Sequence, residues 1–331
     1  MYAEIPLWAA VLFVAAGLAV LAWSADRFVA GSAALAKCFG VAPFVIGMVV
    51  IGFGTSAPEL IVSVFSGASG HSGLSLGNAY GSCIFNIAFI LGVAALIKPV
   101  AVKKSVVRIG VPLLVAITAF SRFLVSGDCL SRKGAAALLA VFAVAMPLYC
   151  FADSRAGGGG DGEKGDGEEI EPMSAAVAAM WAVVGLAAMI GSSHLLVWGA
   201  VDIAKALGVS ELVIGLTVVA MGTSLPELAS AVAASRRGES ELVLGNVIGS
   251  NIFNMLAVVG IAGVISPMEN FSPYVVVRDM PFLFAFSLSI AVFGFNFRDR
   301  NSPGRISRFE GGVWLVSFFA YMALLFAQEV F

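Results

Sequence analysis

Residues 47–92 recur without a gap at 215–260, a shift of 168 positions that leaves 21 identities in 46 places. The first copy contains "GFGTSAPELIVS" (Gly52–Ser63) and the second "MGTSLPELASA" (Met221–Ala231). Further on, "GNAYGSCIFN" (77–86) is answered by "GNVIGSNIFN" (245–254), and upstream "AKCFGV" is answered by "AKALGV". Shared apolar composition would match only a handful of these places. The chain therefore carries an internal duplication, and any fold it adopts must use one unit twice.

The medium follows from composition. Of 331 residues, 60% are hydrophobic and 12% charged, against about 25% charged in a soluble domain. Such a chain cannot cover an ordinary water-facing surface, and its solvent is mostly lipid. The net charge of −2 says nothing about nucleic acid, because the basic residues are scattered through short loops, and no nucleic-acid partner is expected. The segment "MYAEIPLWAAVLFVAAGLAVLAW" lacks the positive leader of a signal peptide and is read as a retained first span. Cys38, Cys83, Cys129 and Cys150 show no C-x-x-C spacing and are expected to be buried small residues rather than disulfide or zinc partners.

Apolar runs of about 20 residues can cross a bilayer as helices. Ten are predicted: 5–28, 42–68, 74–97, 106–126, 134–152, 174–204, 210–235, 241–266, 274–296 and 308–328. Between the fifth and sixth lies "ADSRAGGGGDGEKGDGEEIEP" (Ala152–Pro172), whose Gly and acids read as a solvated linker. The predicted organisation is an all-α membrane protein with ten transmembrane helices as two inverted five-helix repeats, 1–151 and 174–331, joined by a linker at 152–173. Five spans per half is an odd number, so the second copy enters the membrane from the opposite side. Placing the linker on one side gathers 14 of the 19 Lys and Arg there, from Arg27 and Lys37 to Arg305 and Arg308. Arg122, Arg132, Lys133, Lys205 and Arg278 remain on the other side. The positive-inside rule then puts the linker in the cytoplasm of an inner-membrane protein and both termini outside.

The repeated motifs carry the chemistry. Glu59 and Glu227 fall well inside the second and seventh spans, where a carboxylate costs ~2.5–3.5 kcal/mol on insertion scales. No Lys or Arg lies in those spans before Arg236 and Arg237, so a structural ion pair is a poor account of the acids. Pro58 and Pro226 lack the N–H that would satisfy the carbonyls of Gly54 and Gly222, so each helix is expected to break or kink. Irregular backbone at membrane depth is tolerated where it faces protein or lines a polar cavity. Thr55, Ser56, Thr223 and Ser224 add hydroxyls, and hard oxygens of this kind suit Ca²⁺ or Na⁺. Ser82 and Asn86, like Ser250 and Asn254, are four apart and share a helix face, with Asn78 and Asn246 four residues earlier. The plainer reading of these Ser and Asn residues is helix–helix hydrogen bonding; Gly77, Gly81, Gly245 and Gly249 are read as close-approach points. Inversion would set Glu59 opposite Glu227, where two carboxylates cannot both stay ionised without cations. One divalent ion, several Na⁺ or protons would serve, which is the minimum for exchange at a single site.

At these residues the chain resembles the cation/Ca²⁺ exchanger superfamily, in particular the prokaryotic Na⁺/Ca²⁺ exchangers, whose paired α-repeats carry GTS-x-PEL and GN-x-x-GS-x-x-x-N. The resemblance implies a secondary-active antiporter in which Na⁺ entry drives Ca²⁺ export by alternating access, with no cofactor and no covalent chemistry. It implies that Glu59 and Glu227 are shared by Ca²⁺ and Na⁺ and that Thr55 and Thr223 offer backbone oxygens to Ca²⁺. Ser56, Ser82, Ser224 and Ser250 would help to form flanking Na⁺ sites. Asn86 would sit at the centre with Asn254 opposite, and the first and sixth spans would slide against the rest. The chain departs from the family pattern in two places. Ala57 replaces the usual Leu that Leu225 keeps, and Asn254 stands where some members have Asp, leaving two carboxylates at the centre. The proton-coupled branch tends to carry extra acids or His around its G-N motifs. None occurs at 77–86 or 245–254, which favours Na⁺ over H⁺. An H⁺- or K⁺-coupled exchanger is the alternative within transporters. A passive channel needs no paired ligand motifs, and an intramembrane hydrolase would need a nucleophile or metal signature that is missing. His71 reads as a polar-turn residue, His194 as a packing or interfacial group at the repeat position of Asp26, and the acids of 153–171 as a disordered run without EF-hand spacing.

Overall fold

The computed structural model describes residues 6–70, 72–127, 129–155, 173–207, 220–269, 271–295 and 304–330. Apolar residues fill long helices, as the hydropathy requires. These are α1 (Leu7–Phe39), α2 (Pro43–Thr55), α3 (Ala57–Ala68), α4 (Gly73–Ile97), α5 (Val106–Val125) and α6 (Arg132–Arg155). The second half supplies α7 (Ala175–Ala206), α8 (Ala220–Thr223), α9 (Leu225–Arg237), α10 (Ser240–Ile265), α11 (Val275–Gly294) and α12 (Arg308–Val330). Among the described residues eight helices are long and apolar enough to cross a membrane, or nine when the bent pair α2–α3 counts as one span. The chain is thus a multi-pass helical membrane protein. The predicted span 210–235 falls partly on residues 208–219, outside the described residues, and its visible part is α8 and α9.

Two predicted boundaries shift, and one charge is found buried. The first helix runs on to Phe39, past the charges that ended its apolar run. Asp26 is taken up by Arg237, and Arg27 lies 5.2 Å over the Trp181 ring. The added turns bury Ala30, Gly31, Ser32, Ala33 and Ala34 against α7, where a Cβ on Gly31 would stand 2.7 Å from the Ala178 carbonyl oxygen. Small residues let the two longest helices lie backbone to backbone, the usual device for helix association in lipid. Helix α6 reaches Arg155, so the first residues of the predicted linker are helical, while 156–172 lie outside the described residues. Arg278, counted with the loop charges, is buried at the start of α11. Arg278 Nε donates to Asp279 Oδ1 at 2.6 Å, and Tyr321 Oη donates to the same oxygen at 2.9 Å. Local pairing makes that burial tolerable.

The two halves repeat their irregularities as well as their helices. Both PEL motifs follow a break at a serine, Ser56 (φ −80°, ψ 6°) and Ser224 (φ −90°, ψ 10°). The bend between α2 and α3 is 44°. Pro58 and Pro226 each sit in the first turn after the break, where a missing N–H costs nothing. Gly70 (φ 79°) and Gly238 (φ 75°) turn the chain at equivalent places in the left-handed region. π-helical turns occur at Phe85–Leu91 in α4 and Asn254–Val258 in α10, and again at Val106–Gly110 and Val275–Asp279.

Short strands tie the loops at each end. β1 (Val100–Val102) pairs antiparallel with β4 (Gly304–Ile306), and β2 (Cys129–Leu130) with β3 (Met268–Glu269). Each pair joins one loop from each half. Arg308 donates to the carbonyls of Leu96 and Ile97 at the end of α4, and Arg132 donates to the carbonyl of Ile265 at the end of α10. These arginines satisfy carbonyls that helix termini leave open. Helices α4 and α10 form the centre, with 72% and 83% of their most apolar stretches buried against 22% and 28% for α1 and α7. Of the cysteines expected to be buried, Cys83 is; Cys38, in the last turn of α1, and Cys129, in β2, are exposed because they lie at the ends of the bundle rather than in its core, and the side chain of Cys150 lies outside the described residues.

Candidate intramembrane cation site

The site is assembled where the two helix breaks face the two central helices. Thr55, Ser56, Glu59, Asn86, Ser224, Ser250 and Asn254 have no solvent exposure, and Glu227, Ser82 and Thr223 have at most 8%. All ten residues singled out in the sequence are therefore buried at the core.

Hydroxyls from one half meet the carboxylate of the other. Ser56 Oγ donates to Glu227 Oε1 at 3.0 Å, and Ser224 Oγ donates to Glu59 Oε1 at 2.7 Å. Ser82 Oγ lies 3.4 Å from the same Glu59 oxygen and 3.1 Å from Ser224 Oγ. A hydrogen bond to a carboxylate contributes about 1.5–3 kcal/mol, roughly twice a neutral one. The helix breaks position these hydroxyls. At the last residue before a new helix, a serine side chain is free to point across the interface instead of back along its own helix.

The three remaining predicted hydroxyls work differently. Thr55 Oγ1 donates to the Ile51 carbonyl at 2.9 Å, a back-bond that helps to bend α2 ahead of the break. Ser250 Oγ donates to the Gly52 carbonyl at 3.2 Å and so ties α10 to α2. Thr223 Oγ1 lies 3.5 Å from Asn78 Oδ1.

Asn78 and Asn246, read chiefly as helix glue, hold the acid-bearing helices by their backbones. Asn78 Nδ2 donates to the Glu59 carbonyl, and Asn246 Nδ2 donates to the Glu227 carbonyl, each at 3.1 Å. The glycines beside them allow the approach. A Cβ on Gly249 would stand 2.5 Å from the Met48 carbonyl oxygen, and one on Gly52 would stand 2.8 Å from the Ser250 nitrogen. For Gly77 and Gly81 the repeat-equivalent neighbours, 212–216, lie outside the described residues.

Several oxygens at this depth have no hydrogen-bond partner among the described residues. They are Glu59 Oε2, Glu227 Oε2, Asn86 Oδ1 and Asn254 Oδ1, together with the Asn254 amide nitrogen. Buried polar atoms are almost always paired, and those that are not call for a physical reason. A cation supplies one, because it replaces several hydrogen bonds at once and neutralises two carboxylates. The donors are hard oxygens, suited to Ca²⁺ or Na⁺. Among the described residues no three of His, Cys, Asp and Glu gather to hold a metal in the manner of a fixed metal centre.

Two participants escaped sequence reasoning. Ser193 on α7 donates to the Gly222 carbonyl at 3.0 Å, the carbonyl that Pro226 deprives of its helical partner. Its repeat position is Ala25, which has no donor, so the duplication hid it. Asn251 is fully buried and contacts Asn86, yet its repeat position is Cys83. The mismatch of Asn with Cys inside an otherwise matching motif was the available signal. His194 is exposed, in keeping with an interfacial group, and His71 lies outside the described residues.

Comparison with known proteins agrees with this architecture. Residues 9–150 and 177–327 match the family described as sodium/calcium exchanger protein. The chain is 38% identical over 320 residues to the putative antiporter CaxA of Alkalimonas amylolytica, covering 96% of this chain and 99% of that one. It is 35% identical to the inner membrane protein YrbG of Escherichia coli strain K12, covering 94% of each. Its fold matches the sodium-calcium exchanger NCX_Mj soaked with 10 mM Na⁺ and 10 mM Sr²⁺, with a TM-score of 0.82 at 31% identity over 96% of this chain and 99% of that one. The class is that of multi-pass helical membrane transporters. Within it, the chain belongs to the sodium/calcium exchanger family.

Proposed function

We propose that the protein is a Na⁺/Ca²⁺ antiporter that exports Ca²⁺ from the cytoplasm, driven by Na⁺ entry, through one central site alternately open to each side. The observation that carries this reading is the reciprocal linkage of the two carboxylates. Each is held by a serine of the other half, and each keeps one oxygen without a partner among the described residues. Glu59 and Glu227 bind Ca²⁺ and Na⁺ in turn. Thr55 and Thr223 offer backbone oxygens, Ser56, Ser82, Ser224 and Ser250 tune the flanking Na⁺ positions, and Asn86 and Asn254 contribute at the centre. Two negative charges suit one divalent ion. Two Na⁺ would balance the same two charges, so the two species compete instead of binding together.

In this reading ten helices form two inverted five-helix repeats, 1–151 and 174–331, in the inner membrane. Both termini lie outside and the linker lies in the cytoplasm. Support comes from the strand pairs, each of which joins loops that this topology assigns to one side, and from the basic residues gathered at the β1–β4 end, where Lys103 pairs with Glu241 and Arg237 with Asp26.

The test uses purified protein in vesicles loaded with Na⁺, with uptake of radioactive Ca²⁺ followed on dilution into Na⁺-free buffer. The reading expects uptake that requires internal Na⁺. Uptake driven equally by a pH gradient, or requiring K⁺, would replace Na⁺ as sole coupling ion, and uptake indifferent to any counter-ion would leave a channel.

A further inference from the structure

The two central asparagines are identical in sequence and held in different ways. Asn86 Nδ2 donates to Asn251 Oδ1 at 3.1 Å. Asn251 is itself fixed, since its Nδ2 donates to the Cys83 carbonyl at 3.2 Å and it has no solvent exposure. With its nitrogen committed to Asn251, the Asn86 carboxamide cannot turn over without losing that bond. Its oxygen is left facing away from Asn251 with no partner among the described residues.

The other half lacks this arrangement. The repeat position of Asn251 is Cys83, whose thiol donates to the backbone carbonyl of Asn251, at 3.7 Å. A thiol cannot accept strongly from an amide nitrogen. Neither amide atom of Asn254 has a partner among the described residues, although the residue is fully buried. Both asparagines sit within π-helical turns, Phe85–Leu91 and Asn254–Val258, so backbone geometry does not account for the difference.

We propose that Asn251 is a positioning residue that locks the Asn86 carboxamide with its oxygen presented to the transported cation. Cys83, at the equivalent place, leaves Asn254 unlocked. The central site then binds its ion asymmetrically, with one pre-oriented amide oxygen from the first half and one adaptable amide from the second. A pre-oriented oxygen acts on cation affinity as outer-shell partners do at metal sites, where removing the orienting group weakens binding about 10–100-fold. This inference rests on the reading of Asn86 as a cation ligand given above.

The test is a double-mutant cycle on Ca²⁺ binding to the purified full-length protein in detergent, read by titration calorimetry in Na⁺-free buffer. Thermal melting without Ca²⁺ serves as a check on the fold. Asn251→Ala is expected to weaken Ca²⁺ binding about tenfold and to have no further effect in an Asn86→Ala background. If Asn251→Ala does not fold, Asn251→Cys replaces it, because the first half already accommodates a cysteine at that place. An unchanged affinity in Asn251→Ala, or an equal loss with and without Asn86, overturns the positioning role. Full affinity in Asn86→Ala alone instead removes the ligand reading of Asn86 on which the inference stands.

Discussion

At the residue scale, the site depends on groups that cannot replace one another. Glu59→Gln and Glu227→Gln each remove one of two buried charges, and unpairing a buried charge site costs about 2–5 kcal/mol. Each variant is expected to lose Na⁺-dependent Ca²⁺ uptake by at least about 30-fold, measured in Na⁺-loaded vesicles. Retention of uptake by either would remove that carboxylate from the site. Ser224→Ala deletes the 2.7 Å bond to Glu59 and Ser56→Ala the 3.0 Å bond to Glu227. Bonds to charged groups contribute about 1.5–3 kcal/mol, so the half-activating Na⁺ concentration should rise roughly tenfold or more in each. Because the two bonds are reciprocal, the two variants should behave alike. The acids and serines were legible from their duplication in apolar surroundings. Asn251 and Ser193 were not, because Cys83 and Ala25 stand at their repeat positions and the duplication, the strongest sequence signal, pointed away from them.

At the element scale, the breaks at Ser56 and Ser224 and the glycine contacts decide the geometry. Gly52 lies so close to α10 that a Cβ would stand 2.8 Å from the Ser250 nitrogen, which is backbone and cannot give way. Gly52→Ala is expected to destabilise the detergent-solubilised protein by about 1–3 kcal/mol, the range for overpacking a close interface. Gly191 lies on α7 with nothing within 4 Å of its Cβ position among the described residues. Gly191→Ala should therefore be neutral or gain up to about 1 kcal/mol of helix propensity. Melting temperatures of the two variants, measured side by side, check both expectations, and a Gly52→Ala protein as stable as wild type would deny the tight α2–α10 contact. The prolines announced both breaks in advance. The π-helical turns of α4 and α10 left no sequence mark.

At the scale of the whole molecule, the proposed topology makes Cys38 and Cys129 reporters of opposite sides. Cys38 lies at the end of α1 and Cys129 in β2, and both are exposed, whereas Cys83 is buried. With the other cysteines changed to Ser, a membrane-impermeant maleimide should label Cys38 only in inside-out vesicles and Cys129 only in right-side-out vesicles. Labelling of both from one side would break the inverted arrangement. Helices α1 and α7 pack on each other through Gly17, Gly31, Gly185 and Gly199. Their tie to the rest includes Arg237–Asp26 at one end of the bundle and Ser193–Gly222 near the site.

The sequence by itself determined the medium, the duplication, nearly every helix and the ten residues of the candidate site. Each of these follows from local quantities, namely the length of an apolar run, a missing proline N–H or a charge without a base nearby. Only the tertiary structure decided which hydroxyl serves which carboxylate, that Asn78 and Asn246 hold the acid helices by their backbones, and that Asn86 and Asn254 are inequivalent. The asparagine contacts to the acid helices span 19 positions across a turn of the chain, and the others join residues some 140 to 200 positions apart, as between Ser56 and Glu227 or Ser250 and Gly52. The duplicated sequence is nearly symmetric at these positions, and the packing of unlike neighbours, Cys83 against Asn251, is what makes the two halves differ.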